Sequence, residues 1–336
     1  MDPIQSTLLA LPPETAHNLA MGALGAARFL PGQVSPIAGA ERPFLGKVLK
    51  NPIGLAAGLD KNAEAVLGLA RCGFGFVEVG TVTPLAQPGN PRPRMFRLPE
   101  HQALINRMGF NNHGMHAMAR RLNRLRSSGR LVDTLLGVNL GKNKDTPNDE
   151  AASDYVKGMD CLHGYADYFT VNLSSPNTPG LRQLQHGEPL RLLLSRVKER
   201  QMALAKQSAP VPLLLKIAPD LDEEAVGQIA EQVHACAFDG VIATNTTLSR
   251  DAVAGHRHAA ETGGLSGAPL TQRSLQVVAQ FRRALPENMT LIGVGGISSE
   301  DDALAMLNAG AQALQIYTSF IYQGTKLVRN LISATK

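Results

Sequence analysis

Tryptophan is absent from the 336 residues, aromatic residues reach only 4%, and cysteine occurs three times. Each shortage closes off a class. Cys72, Cys161 and Cys236 are scattered and form no metal or redox motif. Their odd number, without a secretory leader, fits a reducing compartment. The start Met-Asp-Pro carries no basic stretch, so no secretory signal is expected. No run approaches the roughly 20 apolar residues of a membrane span. Charge is nearly balanced, with a net value of +5. Arg120, Arg121, Arg124, Arg126 and Arg130 gather around one expected helix, plainly read as a solvated face. Few aromatics accompany them, so nucleic acid is not expected as a partner. Metal ligands are also scarce. His113/His116 and His256/His258 are the close histidine pairs; neither has a carboxylate at useful spacing, both read as facing solvent, and no metal is expected.

What remains is ordinary globular composition, 44% hydrophobic and 18% charged, with ample length for a large core. Residues 3–30 read as an appendage. Ile4, Leu8, Leu9 and Leu11 make a short apolar stretch, and Pro12-Pro13-Glu14 opens a second helix. Ala16, Leu19, Ala20, Ala23, Leu24, Ala27 and Leu30 follow at helical spacing, and Pro31-Gly32 ends the run. A neighbouring face carries His17, Met21, Leu24 and Arg28. Two short amphipathic helices can cap a core, lie on a bilayer surface or admit an apolar ligand.

From residue 51 a unit repeats: short apolar strand, polar or glycine-rich tip, helix. The strands expected are Ile53–Ala57, Phe76–Val79, Leu135–Leu140, Tyr168–Leu173, Leu213–Ile217, Gly240–Thr244, Leu291–Val294 and Ala313–Tyr317. Helices fit at Ala63–Arg71, Glu188–Gln207, Glu223–Ala237, Thr271–Ala284 and Ser299–Ala309. Nearly continuous apolar strands mean parallel strands buried on both faces. The expected class is α/β, a (β/α)8 TIM barrel with a small N-terminal two-helix extension. Residues 1–40 form the extension and 41–336 the barrel. In such barrels the site lies at the C-terminal strand tips. Three connections are long: Pro84–Glu100, Thr178–Gly187 with the composition of a lid, and Thr246–Ser266.

The tips carry the chemistry. Val171 to Gly180 reads VNLSSPNTPG: amides and hydroxyls together at a strand end. An Asn side chain offers a donor and an acceptor to a planar ligand edge. Ser175 is a candidate nucleophile or proton acceptor; the plain alternative is an Asx/Ser turn. Gly293 to Ile297 and Tyr317-Thr318-Ser319 end the last two strands, where barrels hold phosphate on backbone N–H groups. Gly267 offers a further close backbone approach. Lys61 stands at the first tip, and Lys216 lies inside an apolar strand, costly unless it meets an anion or an electron-rich group. One reading of Lys216 is a Schiff-base aldolase; a non-catalytic binding barrel is another. The aldolase leaves unexplained the amides Asn106, Asn111, Asn139, Asn172, Asn177 and Asn245, which suit a flat heterocycle or two stacked ones. Ser175 has no evident His partner, which argues against a hydrolase triad.

The motifs NPIGLAAGLDKN, EVGTVTP, PGNPRPRMFRL, INRMGFNN, GVNLGKNKDT, NLSSPNTPGLR, KIAPDL, GVIATNTT, GGLSG, IGVGGI and QIYTSF cover residues from about 51 to 325. Together they resemble dihydroorotate dehydrogenase. The N-terminal LPPETAH is similar to the start of the membrane-associated, quinone-reducing class 2 enzymes, and Ser175 stands where soluble class 1 enzymes carry Cys.

The resemblance implies FMN as cofactor, held by Ala57, Gly58, Leu59, Asp60, Lys61, Thr81, Asn139, Asn172, Lys216 and Thr244. Its phosphate is expected on Gly267, Gly296, Tyr317 and Thr318. Dihydroorotate is implied to stack on the flavin, against Lys61, Asn106, Arg107, Met108, Gly109, Phe110, Asn111, Asn172, Asn177, Asn245 and Thr246. Ser175 is implied as the base that takes the C5 proton, which passes onward through Thr178 and a buried water. A membrane quinone is implied as final acceptor, in a tunnel lined by His17, Met21, Leu24, Arg97 and Tyr317. The expected protein is a monomer, peripheral on the cytoplasmic face of the inner membrane, that serves pyrimidine biosynthesis.

Overall fold

The computed structural model describes residues 3–206 and 208–336, without the side chains of Pro3 and Ile4. The side chain of Ile4 in the apolar stretch and Gln207, the expected end of one helix, therefore lie outside what is described.

Eight parallel strands close a barrel: Ile53–Leu55, Phe76–Val82, Leu135–Leu140, Tyr168–Asn172, Leu213–Ile217, Gly240–Ala243, Thr290–Val294 and Ala313–Ile316. They follow one another around the barrel in chain order, each paired in parallel with the next, and the eighth pairs with the first. All eight coincide with the expected strands to within three residues at each end. Apolar residues on both strand faces make this possible. Leu213, Leu215 and Ile217 face the helices, and the main core lies in that layer, where Val197, Val233 and Phe281 meet the strands. The alternate residue Leu214 points inward with Phe76, Tyr168, Ile242 and Ile292.

The bottom of the barrel is stoppered by an antiparallel hairpin, Arg42–Phe44 and Lys47–Leu49. Phe44 packs on the rings of Phe76 and Tyr168 at centroid distances of 5.4 and 5.9 Å. The interior therefore opens at one end only, the end of the C-terminal tips. There a second sheet stands beside the opening: Gly264–Gly267, Ala103–Asn106 and Met95–Leu98, all antiparallel. Two of its strands lie in the segments expected as plain long loops.

The helices differ from expectation at their ends, for local reasons. The helix after the first barrel strand begins late, at Val66–Ala70, because the buried Asp60 carboxylate accepts from the N–H groups of Asn62, Glu64 and Ala65. Those bonds wind residues 60–65 into turns, with Ala63 at φ 58°. Thr271–Ala284 and Glu223–Ala235 sit where the spacing places them, and the next expected pair runs Gly187–Leu204 and Glu300–Asn308.

The extension consists of α1 (Pro3–Ala10) and α2 (Pro13–Ala26), followed by a short 3-10 turn to Phe29, so the second helix stops before Leu30. Close packing seats α2: a side chain at Gly68 would meet the carbonyl oxygen of Leu24 at 2.2 Å.

The arginine-rich helix spans Met115–Ser127, and Arg130 lies beyond it. Its face is only partly solvated. Arg126 donates to the Tyr165 carbonyl and to Asp167, Arg121 pairs with Glu64, and Arg130 donates to carbonyls at Arg28, Leu30 and Gly32. The residues thus cement neighbouring segments. No helix among the described residues is long and apolar enough to cross a membrane.

Candidate active site

The strand tips enclose a cleft of about 1160 Å³, counting space open to solvent. Every barrel strand except the third lends its tip to the lining. Lys61, Lys216 and Tyr317 are its ionisable side chains; among the described residues no His, Asp or Glu lines it. The field inside is therefore positive, with amides and hydroxyls as the remaining polar groups.

Ser175 sits in the wall, 5% exposed, and its Oγ accepts from the Asn177 N–H at 3.2 Å. The preceding serine is more tightly held. Ser174 Oγ donates to Asn172 Oδ1 at 2.8 Å and accepts from Asn245 Nδ2 at 2.9 Å. This chain of bonds joins the fourth and sixth strand tips through the loop that carries Ser175. The Asn177 amide donates to the Asn106 carbonyl at 3.3 Å, which ties the same loop to the second sheet.

Below the cleft floor lies a polar layer inside the barrel. Thr81 Oγ1 donates to Asn139 Oδ1 at 2.6 Å, and Asn172 Nδ2 donates to both of those oxygens at 3.1 Å. Asn139 Nδ2 passes on to Glu78 Oε1 at 2.8 Å. Glu78 is fully buried and also accepts from Tyr168 Oη, Thr170 Oγ1 and Gln315 Nε2. The Lys216 side chain is buried, and no hydrogen bond of its Nζ is present among the described residues. Burial pushes its pKa below the ordinary value, and the Glu78 charge opposes that push. A buried cation without a hydrogen bond favours an anionic or electron-rich ligand. Gln315 Oε1 is likewise buried without a partner, in the cleft wall.

Lys61 closes the side of the cleft nearest the extension, with Nζ donating to the Gly58 carbonyl at 2.6 Å. Burial, then the Arg94 charge, lowers its pKa to about 8, against the opposing charges of Glu14 and Asp60. At the opposite rim, Gly267, Gly295 and Gly296 all adopt positive φ. A side chain at Gly296 would meet Thr271 Oγ1 at 2.2 Å, and one at Gly267 the Gln102 carbonyl at 2.2 Å. Only glycine lets the backbone run so close there. Thr318 joins them, its Oγ1 2.8 Å from Ser266 Oγ.

Most residues named from the sequence come together here. Ala57, Gly58, Lys61, Thr81, Asn172, Lys216, Thr244, Gly267, Gly296, Tyr317 and Thr318 all line the cleft, as do Asn106, Met108, Gly109, Phe110, Ser175, Asn177, Asn245 and Thr246. Leu59, Asp60, Asn139, Arg107 and Asn111 do not. Leu59 belongs to the helix-side core and Asp60 organises its own loop. Asn139 stands one layer down. Arg107 turns outward to Glu261 and stacks over Phe96, and Asn111 faces the neighbouring groove.

That groove lies between α2 and residues 59–68 and holds His17, Met21 and Leu24, with Lys61 and Met108 shared with the cleft. Burial, then the Lys61 charge, lowers the His17 pKa to about 4. Arg97 and Tyr317 stand elsewhere. Arg97 donates to the carbonyls of Leu8, Leu9 and Leu11, at and just beyond the end of α1, and Tyr317 lines the cleft instead. The pair His256/His258 is also not solvent-facing. His258 packs on Phe96 and His256 on His101, with the His256 side chain 11% exposed.

Gln315, Glu78 and Arg182 are functional candidates that the sequence reading passed over. Gln315 and Glu78 carry the same signal as Lys216, a polar residue inside an apolar strand. Arg182 carries none, since two of its three partners, Asp220 and Thr246, are distant in sequence.

Comparison with known proteins agrees with this arrangement. A family model described as dihydroorotate dehydrogenase matches residues 40–335. A dihydroorotate dehydrogenase (quinone) of Marinobacter nauticus is 50% identical over 338 residues, covering 99% of this chain and 98% of the relative. One from Xanthomonas oryzae pv. oryzae is 50% identical over 336 residues, covering 98% and 94%. A crystal structure of DHODH from Eimeria tenella in complex with ferulenol superposes with a TM-score of 0.89 at 39% identity, covering 99% of this chain and 93% of the other. With half of its residues shared along nearly its whole length, and with the barrel and cleft described above, this chain belongs to the dihydroorotate dehydrogenase family.

Proposed function

We propose that this protein oxidises dihydroorotate to orotate and delivers the electrons to a quinone through a bound FMN. The observation that carries the reading is the composition of the cleft: two lysines, a ring of amides and the buried hydroxyl of Ser175, without histidine or carboxylate among the described residues. An aldolase on Lys216 needs an acid/base partner beside the amine. The nearest buried carboxylate, Glu78, is already occupied by four donors.

The residues fit the flavin. Gln315 Oε1, buried without a hydrogen-bond partner, and the Lys216 ammonium are polar groups a heterocycle edge satisfies, and the glycine rim fits a phosphate. Bound FMN supplies a two-electron acceptor for the substrate and a two-electron donor for the quinone. Ala57, Gly58, Thr81, Asn172 and Thr244 hold the ring, with Asn139 supporting it from below and Leu59 and Asp60 shaping the loop that carries Lys61. Gly267, Gly296, Tyr317 and Thr318 hold the phosphate. Lys216 places positive charge beside the ring and favours its anionic reduced form.

Dihydroorotate is anionic, and Lys61 meets its carboxylate. Asn106, Asn177, Asn245 and Thr246, with the backbone from Met108 to Phe110, orient the ring; Arg107 and Asn111 brace that segment from outside the cleft. Ser175 Oγ takes the C5 proton, and closure of the 178–187 loop excludes bulk water while it does so. A hydroxyl is a weak base in water, so the proton moves onward past Thr178, which is buried at the start of the same loop.

Residues 1–40 serve as a quinone- and membrane-associating extension on a barrel of residues 41–336. His17, Met21 and Leu24 give the quinone its groove, and Arg97 and Tyr317 act at its borders. The extension holds a bilayer surface from the cytoplasmic side, and the protein works as a monomer. The deciding experiment is a visible spectrum of the purified protein. A flavin band that bleaches anaerobically on adding dihydroorotate, and recovers on adding quinone, supports the reading. A protein without flavin, or a band that dihydroorotate leaves unchanged, refutes it.

A further inference from the structure

Arg182 lies on the 3-10 turn Leu181–Gln185, inside the long loop that follows the fourth strand. It makes contacts in three directions. Its Nε donates to the Ser174 carbonyl at 3.0 Å, Nη2 donates to the Thr246 carbonyl at 2.7 Å, and Nη1 pairs with Asp220 Oδ2 at 2.8 Å. Asp220 in turn accepts from Thr247 Oγ1 and from the Leu248 N–H at 3.0 Å. Gln185, on the same turn, accepts from the Ala218 N–H at 2.9 Å. One planar guanidinium thus joins the loops after the fourth, fifth and sixth strands. These loops carry Ser175, follow Lys216 and carry Asn245 and Thr246. A guanidinium suits this task because its donors form a rigid fork, whereas an ammonium has no fixed fork.

The carbonyl it grips belongs to the peptide that leads directly into Ser175. The side chain of Ser174 is already fixed by Asn172 and Asn245, so Arg182 removes the remaining freedom of that peptide. We propose that Arg182, with Asp220 as its counter-ion, is a positioning residue that sets Ser175 and the Asn245–Thr246 edge against the substrate. This inference rests on the assignment of Ser175 as the base.

The test uses the flavin-loaded full chain. Arg182→Ala is expected to slow anaerobic bleaching by dihydroorotate about 10- to 100-fold, the scale of a misplacement of about 1 Å. Reoxidation by quinone is expected to stay at the wild-type rate. In a Ser175→Ala background the same change is expected to cost no more than about threefold, since the group it positions is gone. Hydrogen exchange of residues 174–177 and 245–248 is expected to quicken about tenfold, while the fifth strand stays protected. Asp220→Asn and Arg182→Lys are smaller changes that keep the test open if Arg182→Ala does not fold; each is expected to slow bleaching about 3- to 30-fold. Bleaching at the wild-type rate in these variants overturns the inference, and so does an equal loss with and without Ser175. Failure of the wild-type protein to bleach at all refutes the assigned reaction instead, and the exchange measurement then still judges the clamp.

Discussion

Glu14 of α2 and Arg94 of the barrel form an ion pair across the boundary between extension and core: Arg94 Nη2 lies 2.7 Å and Nε 3.2 Å from Glu14 Oε1. Arg94 is buried, and its Nη1 also donates to the carbonyls of Pro88 and Asn90. Its own carbonyl accepts from Arg107 N at 2.9 Å. The pair therefore links α2 to the segment expected to hold the substrate. Burial alone raises the Glu14 pKa, but hydrogen bonds and charge from Arg94, then Arg92, outweigh it and hold the carboxyl below its ordinary value. A lowered carboxyl contributes stability above its unfolded pKa, about 4.3, and loses it as pH falls through the folded value. Glu14→Gln is expected to make α1 and α2 more sensitive to protease at neutral pH. The wild-type extension is expected to gain the same sensitivity only in acid. Equal protease sensitivity of variant and wild type at pH 7 refutes the role of the pair.

Ser175→Ala is expected to retain FMN yet bleach with dihydroorotate about 10²–10⁴-fold more slowly, the usual cost of a lost general base. Ser175→Cys is expected to keep part of the rate with a shifted pH profile. Stopped-flow absorbance measures both; a near-normal Ser175→Ala rate removes Ser175 from the mechanism.

Lys216→Ala is expected to bind FMN more weakly and to lower the flavin reduction potential, because the buried charge beside the ring is gone. Titration of the apoprotein and a spectroelectrochemical potential read the two effects. Borohydride trapping with substrate is expected to leave Lys216 unmodified; a stable adduct there favours aldolase chemistry.

Lys61, with its pKa near 8, is expected to impose a pH limit on substrate binding. As pH rises through that value the ammonium loses its proton and with it the attraction for the dihydroorotate carboxylate. KM for dihydroorotate is expected to climb above pH 8 while kcat changes less, and Lys61→Arg to move the climb to higher pH. A KM that is flat from pH 7 to 9.5 contradicts this.

Deleting residues 1–30 is expected to separate the two half-reactions. The cleft lies in the barrel, so bleaching by dihydroorotate is expected to persist while turnover with a long-chain quinone in lipid falls sharply. A small soluble acceptor is expected to serve the truncated protein comparatively well. His17→Ala is expected to show a milder form by altering the groove, and Arg97→Ala by releasing the end of α1. Unchanged quinone turnover and liposome binding after truncation reduce the extension to a cap.

The barrel was legible because each of its strands is short, apolar and tipped with polar residues, a pattern that repeats along the chain. Ser175, the two lysines and the glycine rim stand at such tips, and local reading suffices for them. The second sheet was not legible. Its strands Met95–Leu98 and Gly264–Gly267 are four residues each and meet only through Ala103–Asn106. The late start at Val66 escaped because Asp60 overrides helix propensity with side-chain bonds to three N–H groups. Arg97 sits in a motif that suggests a tunnel wall, and its bonds to the Leu9 and Leu11 carbonyls could not be read from that motif. In each case the deciding partner lies outside the local pattern.

Glu78 has a consequence for how the barrel comes to exist. Its carboxylate, on the second strand, takes donors from the third strand at Asn139, the fourth at Tyr168 and Thr170, and the eighth at Gln315. The last donor arrives only when the end of the chain returns to the beginning. A ring that closes around this carboxylate without the eighth strand's donor leaves it buried short of its full shell, so such forms are penalised. The residue works as a keystone: from the second strand it reaches across to the eighth, and losing the third, fourth or eighth strand from the circle costs it a donor.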